Sequence, residues 1–374
     1  MERCDFVIVG AGIAGASAGY FLAAHGRVVV LEREDRPGYH STGRSAALYS
    51  ESYGNEVIRA LTSGGREFFT NPPAGFAEHP LLSPRGALFV GRADQAQALD
   101  DTAAEAGQLV DSIARLDADG ARAIVPALRQ DYVDGAVSEP EAMDIDVDAL
   151  HQGFLRGVRA KGGEIRTEAE VTALSHDGDG WSVTTSQDEL RAPVLINAAG
   201  AWCDVIAGIA GLPGIGLVPK RRTVIQFAAP DDVDSTAWPL CVDVDENFFF
   251  KPDAGKLIGS PADETPMEPC DVQPDEYDIA LAAHRVQEAA DLPIPRIEHR
   301  WAGLRSFVAD KTLVAGFDPA AEGFFWLAGQ GGYGIQTSPS MGRITDALAR
   351  GGGIPDDLAA LGVTEAALSP ARFR

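Results

Sequence analysis

The sequence predicts an α/β fold: a doubly wound domain built on a parallel sheet, with an α+β domain carrying an antiparallel sheet inserted into it. Three observations carry this prediction. The apolar run Phe6–Val9 passes through Gly10-x-Gly12-x-x-Gly15 into a helix-like run and then into a second apolar run, Val28–Leu31, which ends in Glu32. Small-residue turns of similar kind recur much later, at 197–201 and at 329–334, each after a short apolar run. Between these elements, 87–145 and 217–300 show a different, sheet-like pattern. The chain therefore reads as a Rossmann-like domain assembled from residues 1–86, 146–216 and 301–374, with a second domain formed by 87–145 and 217–300.

The elements follow in order. Gly10 lets the chain turn sharply out of its first strand, Gly12 leaves the backbone open to a pyrophosphate, and Gly15 allows close packing of helix on strand. The helix start then offers free N–H groups and a positive dipole end to phosphate. Glu32 is placed to accept hydrogen bonds from ribose hydroxyls and to repel a 2′-phosphate. The unit predicts a bound dinucleotide. Residues 59–69 read as a helix, and Pro72, Pro73, Pro80 and Pro84 mark a loop. A strand is expected at 87–90 and helices at 94–107 and 117–124, the latter stopped near Pro126. The amphipathic run 148–161 ends at Gly162-Gly163, a helix stop. Strands follow at Glu164–Arg166 and 171–175, with a hairpin around 177–180 into Trp181–Thr185. Val194–Asn197, 221–227 and 248–251 read as strands and 276–290 as a helix. The strand 325–327 leads into a last helix ending near residue 350.

Composition narrows the function. The 374 residues suffice for two domains, and 45% are hydrophobic, an ordinary globular share. The net charge of −24 argues against nucleic acid or an anionic membrane as partner. Cys4, Cys203, Cys241 and Cys270 are too scattered for a metal site or a disulfide framework. No secretory leader precedes the first strand and no apolar run reaches membrane-spanning length, so a cytoplasmic protein is expected. His40, His79, His151 and His299 are scattered and read as structural, with no catalytic triad among them.

Three features favour a flavin over a nicotinamide dinucleotide. Ser41-Thr42-Gly43-Arg44-Ser45 follows Glu32 closely, and its hydroxyls and arginine can reach the second half of a long dinucleotide. Asn197-Ala198-Ala199-Gly200-Ala201-Trp202 ends a later strand on the same crevice. Gly329-Gln330-Gly331-Gly332-Tyr333-Gly334 precedes the final helix, where backbone amides face the negative charge of a reduced flavin.

Longer runs carry a family likeness. GAGIAGAS at 10–17, VVVLERE at 28–34, PGYHSTGRSAA at 37–47, NPPAGFAEHPLLSPR at 71–85, DALHQGFLRG at 148–157, NAAGAWCD at 197–204, KPDAG at 251–255, WAGLRSFVAD at 301–310 and GGYGIQTS at 331–338 resemble the flavin-dependent D-amino-acid oxidase superfamily and, within it, the bacterial D-arginine dehydrogenases. The likeness spans essentially the whole chain. It implies non-covalent FAD, an inserted domain whose sheet roofs the flavin, and oxidation of an amine carbon next to a carboxylate. FAD contacts are implied for Gly10, Gly12, Ile13, Ala14, Gly15, Glu32 and Arg33 at the nucleotide end. Ser41, Thr42, Arg44, Ser45, Ala46 and Ala47 follow in the next loop. Val171, Ala199, Gly200, Trp202 and Gly303 are implied from mid-chain, and Gly331, Gly332, Tyr333, Gly334, Ile335 and Gln336 from the last turn.

By the same likeness Arg222 and Arg305 grip the substrate carboxylate, Tyr53 closes the site and the Gly332 carbonyl meets the amine. A planar arginine fork suits both carboxylate oxygens. Tyr53 and Tyr333 read equally well as packing aromatics. The D-arginine enzymes place a glutamate, a histidine and a tyrosine where this chain has Ala87, Leu48 and Phe249. A guanidinium would lose its charge partner there, at several kcal/mol. The expected reaction is therefore oxidative deamination of an apolar or aromatic D-amino acid, with hydride transfer to flavin N5. The imino acid then hydrolyses to a 2-oxo acid and ammonia. Oxygen or another acceptor takes the electrons. Glu246, Asp243 or Asp245 remain as possible replacements for the missing acid, and of Phe248, Phe249 and Phe250 strand alternation turns at least one away from the site. A glycine- or sarcosine-type amine oxidase and a non-catalytic flavin-binding subunit are the alternatives.

Overall fold

The computed structural model describes residues 2–230 and 232–374. The run VVVL at Val28–Leu31 is buried throughout, as a parallel strand covered on both faces should be. It lies second in a six-stranded sheet ordered Glu164–Arg166, Val28–Leu31, Phe6–Val9, Val194–Asn197, Phe324–Ala328 and Val314–Phe317. The first five strands are parallel and the last is an antiparallel edge. Side chains alternate between two cores. Phe6, Ile8, Val28, Val30, Ile196 and Phe325 pack against the helices, including Leu22 of Ile13–Leu22, Val158 of Val147–Ala160 and Ile344 of Ser338–Ala349. Val7, Val9, Val29, Leu31, Leu195 and Trp326 face the other way. There they meet Val171, Leu174, Trp181, Val183 and Leu190 of a four-stranded sheet ordered Glu2–Arg3, Glu189–Ala192, Trp181–Thr185, Val171–His176.

The second large sheet has nine strands. In sequence along the sheet they are Thr265–Pro266, Val218–Phe227, Lys256–Ser260, Phe249–Asp253, Leu240–Asp243, Ala87–Gly91, Gly135–Glu139 and Ala114–Asp117, with His299–Phe307 also pairing Val218–Phe227. All neighbouring pairs are antiparallel except Leu240–Asp243 with Ala87–Gly91. Its back face, including Leu88, Val90, Ile225, Cys241, Phe250 and Leu257, packs on helix Glu276–Ala289 through Ile279, Ala282 and Val286. The front face is turned to the first domain's crevice. The strand His299–Phe307 is bonded along its full length to Val218–Phe227, so Arg305 comes from this sheet although the sequence reading begins its third segment at 301. A small sheet of Leu48–Tyr49, Met143–Ile145 and Leu82–Pro84 lies at one side. No helix among the described residues is long and apolar enough to cross a membrane.

Candidate active site

The nucleotide end is built at the close of strand Phe6–Val9. Gly10 has φ +102°, and a Cβ on it would lie 2.5 Å from the Ala198 carbonyl oxygen. A Cβ on Gly15 would lie 1.8 Å from the Gly10 carbonyl oxygen. Strand, turn and helix therefore approach at distances that exclude side chains. Beside Gly12 sits Thr42, whose Oγ1 accepts the Ile13 N–H at 3.0 Å. Ala14 follows in the first helical turn. Glu32 is buried, its oxygens accepting the Ala11 and Glu34 N–H groups at 3.2 and 3.1 Å. Burial pushes its pKa up, and those two backbone bonds offset part of the rise. No basic side chain lies within 4.0 Å of it among the described residues. A buried acid with acceptor capacity left over fits the hydroxyls of a ribose. Arg33 lays its guanidinium over the Trp202 ring at 5.0 Å, and the His40 ring lies 4.7 Å from the same indole. Val171 follows Ala169, whose N–H bonds the Glu32 carbonyl, so its backbone runs beside the acid. Ala199 abuts Gly10, and a side chain on Gly200 would meet only open space.

His151 holds this loop from beneath. It is buried, with Nε2 2.8 Å from the Ala11 carbonyl oxygen, and burial lowers its pKa. A histidine depressed in the folded state stabilises the fold above its unfolded pKa of about 6.5, and that contribution is lost as pH falls. Melting temperatures measured from pH 7 down to 5 are expected to fall, and His151→Gln to flatten part of that slope.

A cavity continues from this crevice between the two large sheets. Its floor is Ile13, Ser41, Thr42, Ser45, Ala46 and Ala47, with Gly303, Leu304, Gln330, Gly331, Gly332, Gly334 and Ile335 alongside. The Nε2 atoms of Gln330 and Gln336 are buried without a hydrogen-bond partner, and Gln336 Oε1 accepts the Ser50 N–H at 3.3 Å. Unmet buried donors are costly, and Gln330 borders the cavity, so a ligand with acceptors on this side can satisfy its Nε2. The rim of an isoalloxazine has such acceptors, and the residues fit FAD. Two expectations are corrected. Arg44 borders the cavity, but its guanidinium turns away to the Val272 and Ala302 carbonyls, both at 3.1 Å, and to Asp271 at 2.5 Å. It ties the loop to strand His299–Phe307. In the 331–334 turn, the Gly331 and Tyr333 amides bond the Ser306 and Gln330 carbonyls, both at 2.9 Å, which leaves those of Gly332 and Gly334.

Above lies a pair of guanidinium groups. Arg222 pairs with Gly303 across the ladder and Arg305 with Lys220, so the two arginines stand diagonally on one face. Gly303 leaves the space between them open. Arg221 points to the opposite face, where it bonds Asp278 at 2.6 Å, so this basic run is not a single solvated face. Arg305 donates to the Tyr53 hydroxyl at 3.0 Å, and no carboxylate lies within 4.0 Å of it among the described residues. It lies flat against Gly332, where a Cβ would fall 1.5 Å from Nη2. Arg222 Nε donates to the Asp263 carbonyl at 2.9 Å, and Nη2 stands 3.5 Å from Glu264. Burial first, and the like charge of Arg305 second, bring the Arg222 pKa down to about 10. Two guanidinium groups side by side in an enclosed site, one of them lowered by the other's charge, call for an anion.

The remaining walls are Leu48, Ser50, Tyr53, Phe89, Val224, Leu240, Val242, Phe249 and Ala262, with Glu246 as an exposed acid among them. Ala87 is corrected: it is buried in the sheet and does not border the cavity, whereas Phe89, two residues on, does. Phe249 faces the cavity while Phe248 and Phe250 are core residues. Tyr333 is not among the wall residues; its ring lies 5.0 Å from that of Tyr53, tilted by 56°. Asp243 is buried under Gln95 and Asn247, and Asp245 bonds Gln95, so of the three acids weighed only Glu246 borders the cavity. The sequence reading missed Ser50, Phe89, Val224, Leu240, Val242, Ala262, Leu304 and Gln330. Strand alternation from Arg222 would have found Val224; the others depend on ladder register and loop path.

A crevice that receives a dinucleotide beside a cation-lined, mostly apolar cavity defines a flavin-linked redox protein. The chain matches the family described as FAD dependent oxidoreductase over residues 5–348, and it belongs to that family. FAD is its cofactor. It is 25% identical to FAD-dependent oxidoreductase domain-containing protein 1 of Xenopus laevis, over 94% of this chain and 80% of that one. It is 28% identical to N-methyl-L-tryptophan oxidase of Citrobacter koseri, over 61% and 60% of the two chains. Glycine oxidase of Geobacillus kaustophilus superposes with a TM-score of 0.83 at 18% identity, covering 96% of this chain and 98% of that one, which shows a shared fold.

Proposed function

We propose that this oxidoreductase oxidises a D-amino acid with an apolar or aromatic side chain to its imino acid, which water converts to a 2-oxo acid and ammonia. The observation that carries the reading is the pair Arg222 and Arg305, on one face of one sheet, beside Gly332 and under an apolar roof. Arg305 and Arg222 bind the carboxylate, a bidentate, charge-assisted contact. The Tyr53 hydroxyl, already on Arg305, closes over it, and the Gly332 carbonyl accepts from the amine. These contacts fix the amine-bearing carbon in place, so positioning supplies much of the rate. The amine reacts in its neutral form: its lone pair forms the C=N bond as hydride leaves the carbon. Bound FAD, held without a covalent link, supplies the acceptor for that hydride. Oxygen or another acceptor then takes the electrons.

The side chain lies along Leu48, Phe89, Leu240, Val242 and Phe249. None of these carries a charge, and a guanidinium lying among them would be stranded at several kcal/mol, with Glu246 the one acid of the three weighed that borders the cavity. The relatives named as a glycine oxidase and an N-methyl-L-tryptophan oxidase support amine oxidation as the class of chemistry. Anaerobic mixing with a panel of amino acids tests the proposal. Apolar and aromatic D-amino acids should bleach the flavin at least tenfold faster than D-arginine, a difference of about 1.4 kcal/mol or more. Faster bleaching by L-amino acids, glycine or sarcosine would overturn it.

A further inference from the structure

We propose that Glu139 is a positioning residue for the substrate grip: through the hydroxyls of Ser50 and Ser52 it pins the segment that carries Tyr53 to Arg305. This rests on the reading of Arg305 and Tyr53 given above. Glu139 closes strand Gly135–Glu139 and stands directly across the ladder from Ala87, whose own partner on the next strand is the wall residue Leu240. Opposite residues share a face, so Glu139 is on the cavity side of the sheet. Its neighbour there is only a methyl group, and the 48–54 segment settles onto the acid.

The contacts are specific. Both carboxylate oxygens lie 3.0 Å from Ser50 Oγ, and Oε2 lies 2.6 Å from Ser52 Oγ. Glu139 is 1% exposed, and no basic group lies within 4.0 Å of it among the described residues. Its charged surroundings are the acids Glu51 and Glu141. Burial pushes its pKa up, and the serine hydroxyls pull it back. A buried acid without a cation is costly to keep, and here its hydrogen bonds all go to one segment. That segment alternates. Tyr49 turns into the core with its hydroxyl 2.5 Å from Glu51, Ser50 and Ser52 turn to Glu139, and Tyr53 turns to Arg305. Ser52 is the residue before Tyr53, so releasing it frees the phenol that completes the grip.

The test uses the FAD-loaded enzyme and benzoate, a carboxylate with no amine to oxidise, so that binding is read from the flavin spectrum apart from turnover. Wild type, Glu139→Gln, Tyr53→Phe, the double variant and Arg305→Lys are titrated, and steady-state kinetics are run on the fastest amino acid. Glu139→Gln should weaken benzoate about tenfold, or roughly 1.4 kcal/mol, and raise KM alike with kcat nearly unchanged. In the Tyr53→Phe background the same change should add little, because the link it breaks ends at Tyr53. Additive losses, or wild-type affinity in Glu139→Gln while Arg305→Lys abolishes binding, overturn the inference alone. Failure of benzoate to perturb even the wild type overturns the arginine reading and this inference with it. Should Glu139→Gln fail to hold FAD, Ser52→Ala removes one pin, leaves the acid in place and is judged by the same cycle.

Discussion

Replacing Arg305 by methionine should lower kcat/KM about a thousandfold. Removing one partner of an enclosed ion pair costs roughly 3–5 kcal/mol, and 1.4 kcal/mol is a factor of ten. The size of the effect follows from the surroundings. Arg305 has one side-chain hydrogen bond, to Tyr53, and no carboxylate within ion-pair distance among the described residues. Little of its charge is neutralised before substrate arrives. Arg222 is held to the Asp263 carbonyl and stands near Glu264, so Arg222→Met should cost less, about 2 kcal/mol. Stopped-flow bleaching and steady-state rates measure both. Equal rates for Arg305→Met and wild type would sink the proposed binding mode. The fold should tolerate the change, since methionine matches the arginine stem and removes a buried charge.

The second large effect is expected at Gly15. An alanine Cβ there would sit 1.8 Å from the Gly10 carbonyl oxygen, a backbone atom with no flexible end to swing aside. Either the helix or the turn must move, and both border the crevice proposed to hold FAD. Gly15→Ala should therefore yield protein with little bound flavin and a stability lower by about 1–3 kcal/mol, the usual cost of overpacking. Absorbance of the purified protein and a thermal melt check it. Gly12→Ala is the useful contrast. A Cβ there would meet Thr42 Oγ1 at 3.2 Å, a tight contact with one side chain and far milder than the backbone clash at Gly15. Its effect should appear in FAD affinity and much less in the melting of the apoprotein.

The dinucleotide half was the most legible part of the chain, because its signals are local. Phe6–Val9, the three glycines and Glu32 lie within one short stretch, and each has a backbone reason to be there. Strands Glu164–Arg166, Trp181–Thr185 and Val194–Asn197 match their expected bounds for the same reason: short apolar or alternating runs between turn residues. The strands that escaped notice lack that pattern. Ala114–Asp117 and Glu189–Ala192 are polar and largely exposed or alternate over only four residues, and their strand character comes from partners elsewhere in the chain. Leu240–Asp243 is a four-residue run whose parallel partner, Ala87–Gly91, lies far away in sequence.

The site divides in the same way. That Arg222 and Arg305 share a face depends on the register of two long antiparallel strands, which nothing in either strand states alone. The likeness puts Ala87 at the cavity, and the structure covers it, because the wall is set by which residues of Ala87–Gly91 and Leu240–Asp243 lie where the sheet meets the crevice. Residue type alone gives Arg44 a ligand-facing role. The carbonyls of Val272 and Ala302, both outside its own segment, claim its guanidinium instead.

The front of the nine-stranded sheet and its back are written by alternate letters of the same strands. Phe89, Val242 and Phe249 look into the cavity, while Leu88, Cys241 and Phe250 are embedded against the helix behind. The residues that shape the cavity and those that anchor the sheet are thus interleaved along the same strands, so a change at one set reaches the other only through the backbone they share.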